Sequence, residues 1–410
     1  MEAASEPAMP IQPVIRRAAM HAPDFTLTAG PTMASPRVLA ALGSPIIFDY
    51  DPVFLERFRE TERLAAEVFR TTNDVVLMQG EAVLGLEAAA RGLVSEGMRC
   101  LNLVSGVYAS WFGDWLRKYG AEVIEVRVPY DEAIDAAAVE QALAKYGPIE
   151  LVSIVHSETP SGIENPLAAI GPLAHAHGAL MLADVVSSLA GTTLLIDDWN
   201  VDLAVAGPQK CLAGPPGMSL ITVSPRAWQA MESNPSAPRG SFLSLLDWKH
   251  TWIDGGRVAF PYTPSVSDVN GVHAALSEVI EDGGVDASVE RHRLAARATR
   301  AGVRGLGLEL WPRSDSYAAS CVTAVRAPVG VAVPELLAHV RERYGVMLSG
   351  GYGELKAALV RLGHMGPASR SLYPLVAVAA LGRGLADLGV GVDVGAGAQA
   401  VMNVLAEAAP

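Results

Sequence analysis

From residue 75 to residue 224 the chain alternates short apolar, β-rich runs with helix-like stretches, and no other feature restricts the fold as much. The expected strands are "VVLMQ", "CLNLVS", "VIEVRV", "LVSIVHS", "GALMLADVV", "DLAVAG" and "MSLITVS". Between them lie "EAVLGLEAAARGLVSEG", "ASWFGDWLRKYG", "DAAAVEQALAKYG" and "LAAIGPLAHAHG", with helical spacing and mostly closed by glycine. Such alternation predicts an α/β fold: a mostly parallel seven-stranded sheet with helices on both faces. Two long helices follow, "GVHAALSEVIEDGG" and "VERHRLAARATRAGVRGLG", and then a shorter α+β set ending in "PLVAVAALGRGLADLG". We expect an N-terminal arm over 1–24, a large α/β domain over 25–285 and a small C-terminal α+β domain over 286–410.

In an open α/β sheet, ligands bind beyond the carboxyl ends of the strands. The residues offered there are Glu81, Tyr108, His156, Glu158, Asp184 and Lys210, and they should converge on one cleft. A net charge of −13 argues against a nucleic-acid partner, whose phosphates need basic patches. No run of about 18 uncharged apolar residues is present, so no membrane span is expected. Cys100, Cys211 and Cys321 are widely separated, and the first residues contain no apolar signal core. Both features point to a reduced, cytoplasmic setting. His175 and His177 have surface-like spacing at a helix end, so no metal site is expected.

The chemistry centres on "AGPQKCLAGPPG", where Lys210 sits in a glycine- and proline-rich loop just past an apolar run. In a flexible, partly buried loop, desolvation would lower its pKa and supply a free amine able to attack an aldehyde. Asp184, 26 positions upstream at the end of a neighbouring strand, could hold a pyridinium nitrogen protonated. Tyr108 offers a face for a flat ring. Taken singly, each has a plainer reading: a solvated lysine, a helix-capping aspartate, a core aromatic. In this order and together they read as a pyridoxal site.

The succession "GEAVLGLEAA", "SGVYASWFG", "HSETPSG", "LADVVSSLAG", "GPQKCLAGPPG", "PYTPSV" and "RLGHMG" resembles the class V aminotransferases of pyridoxal-phosphate fold type I. The likeness runs from about residue 25 to residue 366, and D-x-V-S-S followed by G-x-Q-K is its most specific element. Within the class, "DYDP", "GEAVLGLEAAA", "VPYDEAID" and "TPSGI" are similar to the pyridoxamine–pyruvate group. The resemblance implies Lys210 as the Schiff-base lysine, Asp184 at the ring nitrogen, Tyr108 as the stacking ring and Arg361 at the substrate carboxylate. It also implies cofactor contacts from Glu81, Ala82, Val83, Glu158, Thr159, Val186 and Gln209. A homodimer is implied too, with Thr263 reaching the neighbouring subunit's site near the ring's 5′ substituent.

Two positions depart from the common pattern. Most of the class has a small polar residue where Glu81 stands, so that a helix N-terminus receives the cofactor phosphate. A carboxylate there either caps the helix or marks a site for unphosphorylated pyridoxal or pyridoxamine as substrate, in place of bound pyridoxal 5′-phosphate. Tyr352 stands where the pyridoxamine–pyruvate group resembled has arginine, which leaves room for a larger or less charged substrate. The expected activity is amino transfer between an amine or amino acid and a 2-oxo acid such as pyruvate. The same scaffold also resembles enzymes of lincosamide-type pathways, which eliminate or oxidatively decarboxylate cysteine-derived S-conjugates. A non-catalytic relative of the fold is a third reading, opposed by the intact Lys210, Asp184 and Arg361.

Overall fold

The computed structural model describes residues 22–370 and 372–407, so the expected N-terminal arm lies outside the described residues up to position 21. A seven-stranded sheet organises the larger part of the chain. Its strands are β1 (Asp74–Gln79), β2 (Arg99–Val104), β3 (Glu122–Arg127), β4 (Leu151–Val155), β5 (Leu180–Asp184), β6 (Leu203–Ala206) and β7 (Met218–Val223). Their order is β1-β7-β6-β5-β4-β2-β3. Only β7 runs antiparallel to its neighbours. The apolar alternation thus becomes strands separated by crossover helices: α1 (Ala82–Leu93), α2 (Val107–Lys118), α3 (Ala136–Lys145) and α4 (Leu167–Ala176).

β4 to β7 are buried along their whole length, as strands covered on both faces must be. Edge strand β3 is half-exposed and carries the Arg117–Glu125–Arg127 ion pairs, a charged edge that discourages further pairing. β6 and β7 are antiparallel neighbours, so they need no crossover helix. For that reason "GPQKCLAGPPG" is one direct connection, held at the carboxyl end of β6.

Helices α5 (Val266–Glu281) and α6 (Gly284–Gly305) lead to a three-stranded antiparallel sheet of β8 (Val322–Arg326), β10 (Leu359–Gly363) and β9 (Ser349–Gly350). This part has its own apolar core, built around Leu336, Val340, Leu362, Val378 and Leu381. Phe25–Thr26 pairs in parallel with Val346–Met347, and Gly363 N–H donates to Leu27 O at 2.9 Å, which ties residues 25–27 to this second core. Residues 28–31 then run on toward the large sheet. Among the described residues no helix is long and apolar enough to cross a membrane.

Candidate active site

The structure corrects the expectation that the loop around Lys210 is only partly buried. Residues 207–215 are buried throughout, and Lys210 itself is 9% exposed. Its Nζ donates to the Ala29 carbonyl at 2.8 Å. Burial lowers its pKa below the ordinary lysine value, and the nearby positive charge of Arg361 lowers it further. A lysine in this setting is readily deprotonated.

Gly30 shapes the space for that side chain. Its φ is 97°, in the left-handed region, and a Cβ there would come within 2.4 Å of Lys210 Cδ and 2.6 Å of Nζ. Gly30→Ala is therefore expected to displace the amine, lowering turnover about tenfold or more and costing about 1 kcal/mol or more of stability. Steady-state kinetics and thermal unfolding check both.

Asp184 ends β5 in register with Val155 and Val205, so it projects at the carboxyl edge of the sheet. Burial pushes its carboxyl up to about 7, against the pull of the Val186 N–H bond and the Lys210 charge. Oδ1 accepts from Val186 N–H at 2.9 Å, and among the described residues no group donates to Oδ2. Asp184 and Lys210 line one cavity of about 360 Å³ together with Glu81, Ala82, Val83, Tyr108, Val186 and Tyr352. That volume lies within the range of small-molecule sites.

Glu81 caps α1, its Oε2 accepting from Val83 N–H at 2.9 Å and its Oε1 from Gln209 Nε2 at 2.6 Å. The capping role and the pocket-facing role weighed from sequence coexist in one residue. Gln209 does not itself reach the cavity wall; it is buried, and among the described residues no group donates to its Oε1.

Four further expected residues are also absent from the cavity lining. His156 is fully buried, with Nδ1 3.0 Å from Ser188 Oγ, and burial holds its pKa down near about 4. Glu158 was expected at the cofactor, but its carboxylate caps α2 from outside that helix. It accepts from Ala109 N–H at 2.8 Å and Tyr108 N–H at 3.3 Å. Gly106 makes this possible, because a Cβ there would lie 2.3 Å from Glu158 Cδ. Burial pushes the Glu158 carboxyl up to about 8. Thr159 pairs its hydroxyl with Ser187 Oγ at 3.2 Å, and its carbonyl accepts from Arg361 Nη1 at 3.1 Å.

Arg361 on β10 is the fourth; its Nε also donates to Gly350 O at 2.6 Å. Its Nη2 has no hydrogen-bond partner among the described residues, and its charge is felt at both Lys210 and Tyr108. Thr263 lies apart, in a surface recess with Ile46, Phe48 and Asp49. His175 pairs with Arg226 at 2.8 Å, and no group of three metal-ligating side chains occurs among the described residues.

Sequence reasoning missed Trp111, Phe112, Trp115 and Leu86, which form much of the cavity's wall, and Ser157 and Ser187 in the same lining. The signal was available. Tyr108, Trp111, Phe112 and Trp115 follow the i, i+3, i+4, i+7 spacing of one helix face. It reads as core until the neighbouring elements are placed.

Tested against a pyridoxal-type ring, the residues fit. The cavity joins a desolvated amine, a buried carboxylate lacking a donor on one oxygen, and an aromatic face. Comparison with known proteins agrees. The chain is 44% identical over 383 residues to a pyridoxamine–pyruvate transaminase of Mesorhizobium japonicum, covering 93% of this chain and 97% of that protein. A crystal structure of pyridoxamine–pyruvate aminotransferase from Mesorhizobium loti superposes with a TM-score of 0.92 at 44% identity, over 95% of this chain and 98% of that one. Ureidoglycine–glyoxylate aminotransferase from Bacillus subtilis superposes at 0.88 with 25% identity, over 95% and 100%. The family model for class V aminotransferases matches residues 48–375, which include every group of the cavity, and the chain belongs to that family.

Proposed function

We propose that this aminotransferase takes unphosphorylated pyridoxamine as its amino donor and a 2-oxo acid as acceptor. The observation that carries the reading is Glu81, a carboxylate standing at the cavity wall and fixed by two donors. Two N–H bonds keep it an acceptor, suited to a hydroxymethyl O–H and opposed to a phosphate. The named substrates of the Mesorhizobium relatives support the same choice.

When bound, a pyridoxal-type ring supplies an aldehyde that captures amines and an electron sink for the pair released at the α-carbon. The chain's own residues do the rest. Asp184 would hold a protonated ring nitrogen through its free carboxylate oxygen and so orient the ring. Tyr108 offers its face to the ring plane. Lys210, whose pKa is lowered by burial and by the charge of Arg361, acts as nucleophile and then carries the proton at the α-carbon. Arg361 keeps Nη2 for the acid's carboxylate while Gly350 O and Thr159 O fix the guanidinium plane. The packed walls around Lys210 keep water from the amine.

The test is the exchange itself. Purified protein mixed with pyridoxamine and pyruvate should release pyridoxal and alanine; absence of both products contradicts the reading. Arg361→Lys should raise KM for the acid about 10–100-fold with a smaller change in kcat, since a planar fork is replaced by a point charge. An unchanged KM would remove Arg361 from acid binding.

A further inference from the structure

The cavity has two chemically distinct halves. Its charged groups are Glu81, Asp184 and Lys210, and no cation lines the remainder among the described residues. The remainder is the aromatic face of α2, with Leu86 and Val83 of α1 opposite. Where this half opens, three rings meet. Tyr352 lies 5.2 Å from Trp111 and 6.1 Å from Tyr108, and Tyr108 lies 5.8 Å from Trp111, all edge-on or tilted. Rings in such arrangements leave faces open to a further flat group. Trp111 is 44% exposed and Tyr352 47%, so this apolar surface is wet.

The position of Arg361 gives the rings a purpose. Its Nε donates to Gly350 O, two residues before Tyr352, so the segment that carries the ring also fixes the guanidinium of Arg361 on β10. The charge of Arg361 also acts on Tyr108, one of the three rings, so an acid held at Arg361 would lie beside the ring cluster. A methyl group would leave those faces hydrated, and a second carboxylate would find no cation and would meet the field of Glu81.

We infer that the 2-oxo acid, and the amino acid formed from it, carries a bulky uncharged aromatic side chain that packs against Tyr108, Trp111 and Tyr352. This rests on the reading of Arg361 as the carboxylate anchor.

The experiment uses the full chain supplied with pyridoxal or pyridoxamine. kcat/KM is compared for phenylpyruvate and pyruvate, and Kd for the unreactive pair 3-phenylpropanoate and propanoate. The phenyl compound of each pair should be favoured about tenfold or more, as burial of one aromatic ring provides. Trp111→Ala should bring both ratios toward one, with sedimentation behaviour unchanged. A ratio at or below one in the unmutated protein overturns the inference. So does a ratio untouched by Trp111→Ala, or a variant that changes only the oligomer. Failure of the anchor is separable: Arg361→Ala would then leave both Kd values unchanged, whereas failure of the ring cluster shows in the ratios of the unmutated protein or of Trp111→Ala.

Discussion

Lys210→Ala should lower amino transfer by about 10³-fold or more and abolish the visible absorbance that a pyridoxal-type ring gains on joining a lysine. The substitution removes both the nucleophile and the proton carrier, and general acid–base catalysis alone contributes about 10²–10⁴-fold. No neighbour can substitute, because the cavity contains no second lysine or histidine among its lining residues. Added methylamine should restore part of the activity, whereas a protein that merely failed to fold would gain nothing. The pH profile follows from the same group. Lys210 must be neutral to act, and burial lowers its pKa, so kcat/KM should rise with pH through a value below the ordinary lysine range. Asp184 must be ionised to hold a cationic ring, and in the ring-free protein burial pushes its carboxyl up to about 7. Capture of the ring should therefore weaken as pH falls below about 7.

Glu81→Ser should reverse the preference between pyridoxal and its phosphate ester. Two like unit charges about 4 Å apart repel by about 1 kcal/mol in water and about 4 kcal/mol at an effective dielectric near 20. Glu81 lines the cavity and is exposed, so the true cost lies between those figures. The helix N-terminus returns only about 0.3–1 kcal/mol to an anion. The unmutated protein should thus bind the phosphate ester about tenfold or more weakly than pyridoxal. Serine keeps a cap for α1, frees Gln209 Nε2 as a donor and removes the charge, so the ester should then bind the tighter of the two. Equilibrium titration of both vitamers against both proteins checks this. Tighter binding of the ester by the unmutated protein would place the 5′ substituent away from Glu81.

The sheet was legible because its signal is local. Each apolar run from "VVLMQ" to "MSLITVS" became a strand, and the glycine-closed stretches became crossover helices. Lys210, Asp184, Tyr108 and Glu81 were legible for a related reason. Each sits at or just past the carboxyl end of a strand, and parallel strands bring those ends together. What stayed hidden depends on long-range packing. Nothing in "HSETPSG" says that the Glu158 carboxylate turns back to cap α2, since that choice depends on the missing Cβ of Gly106. Nothing near Lys210 says that Ala29 and Gly30, 180 or more positions earlier, shape its pocket. The Trp111 stripe was visible as a pattern, but only the placement of Tyr352 beside it separates a ligand-facing surface from core.

The proposed chemistry depends on one covalent attachment point, Lys210. Borohydride added to the protein with pyridoxal should fix the ring irreversibly, and peptide mass mapping should find the added mass on Lys210. The label should fail to appear in Gly30→Ala to the extent that the amine is displaced. A label found on another lysine, with Lys210 unmodified, would contradict the assignment of the site.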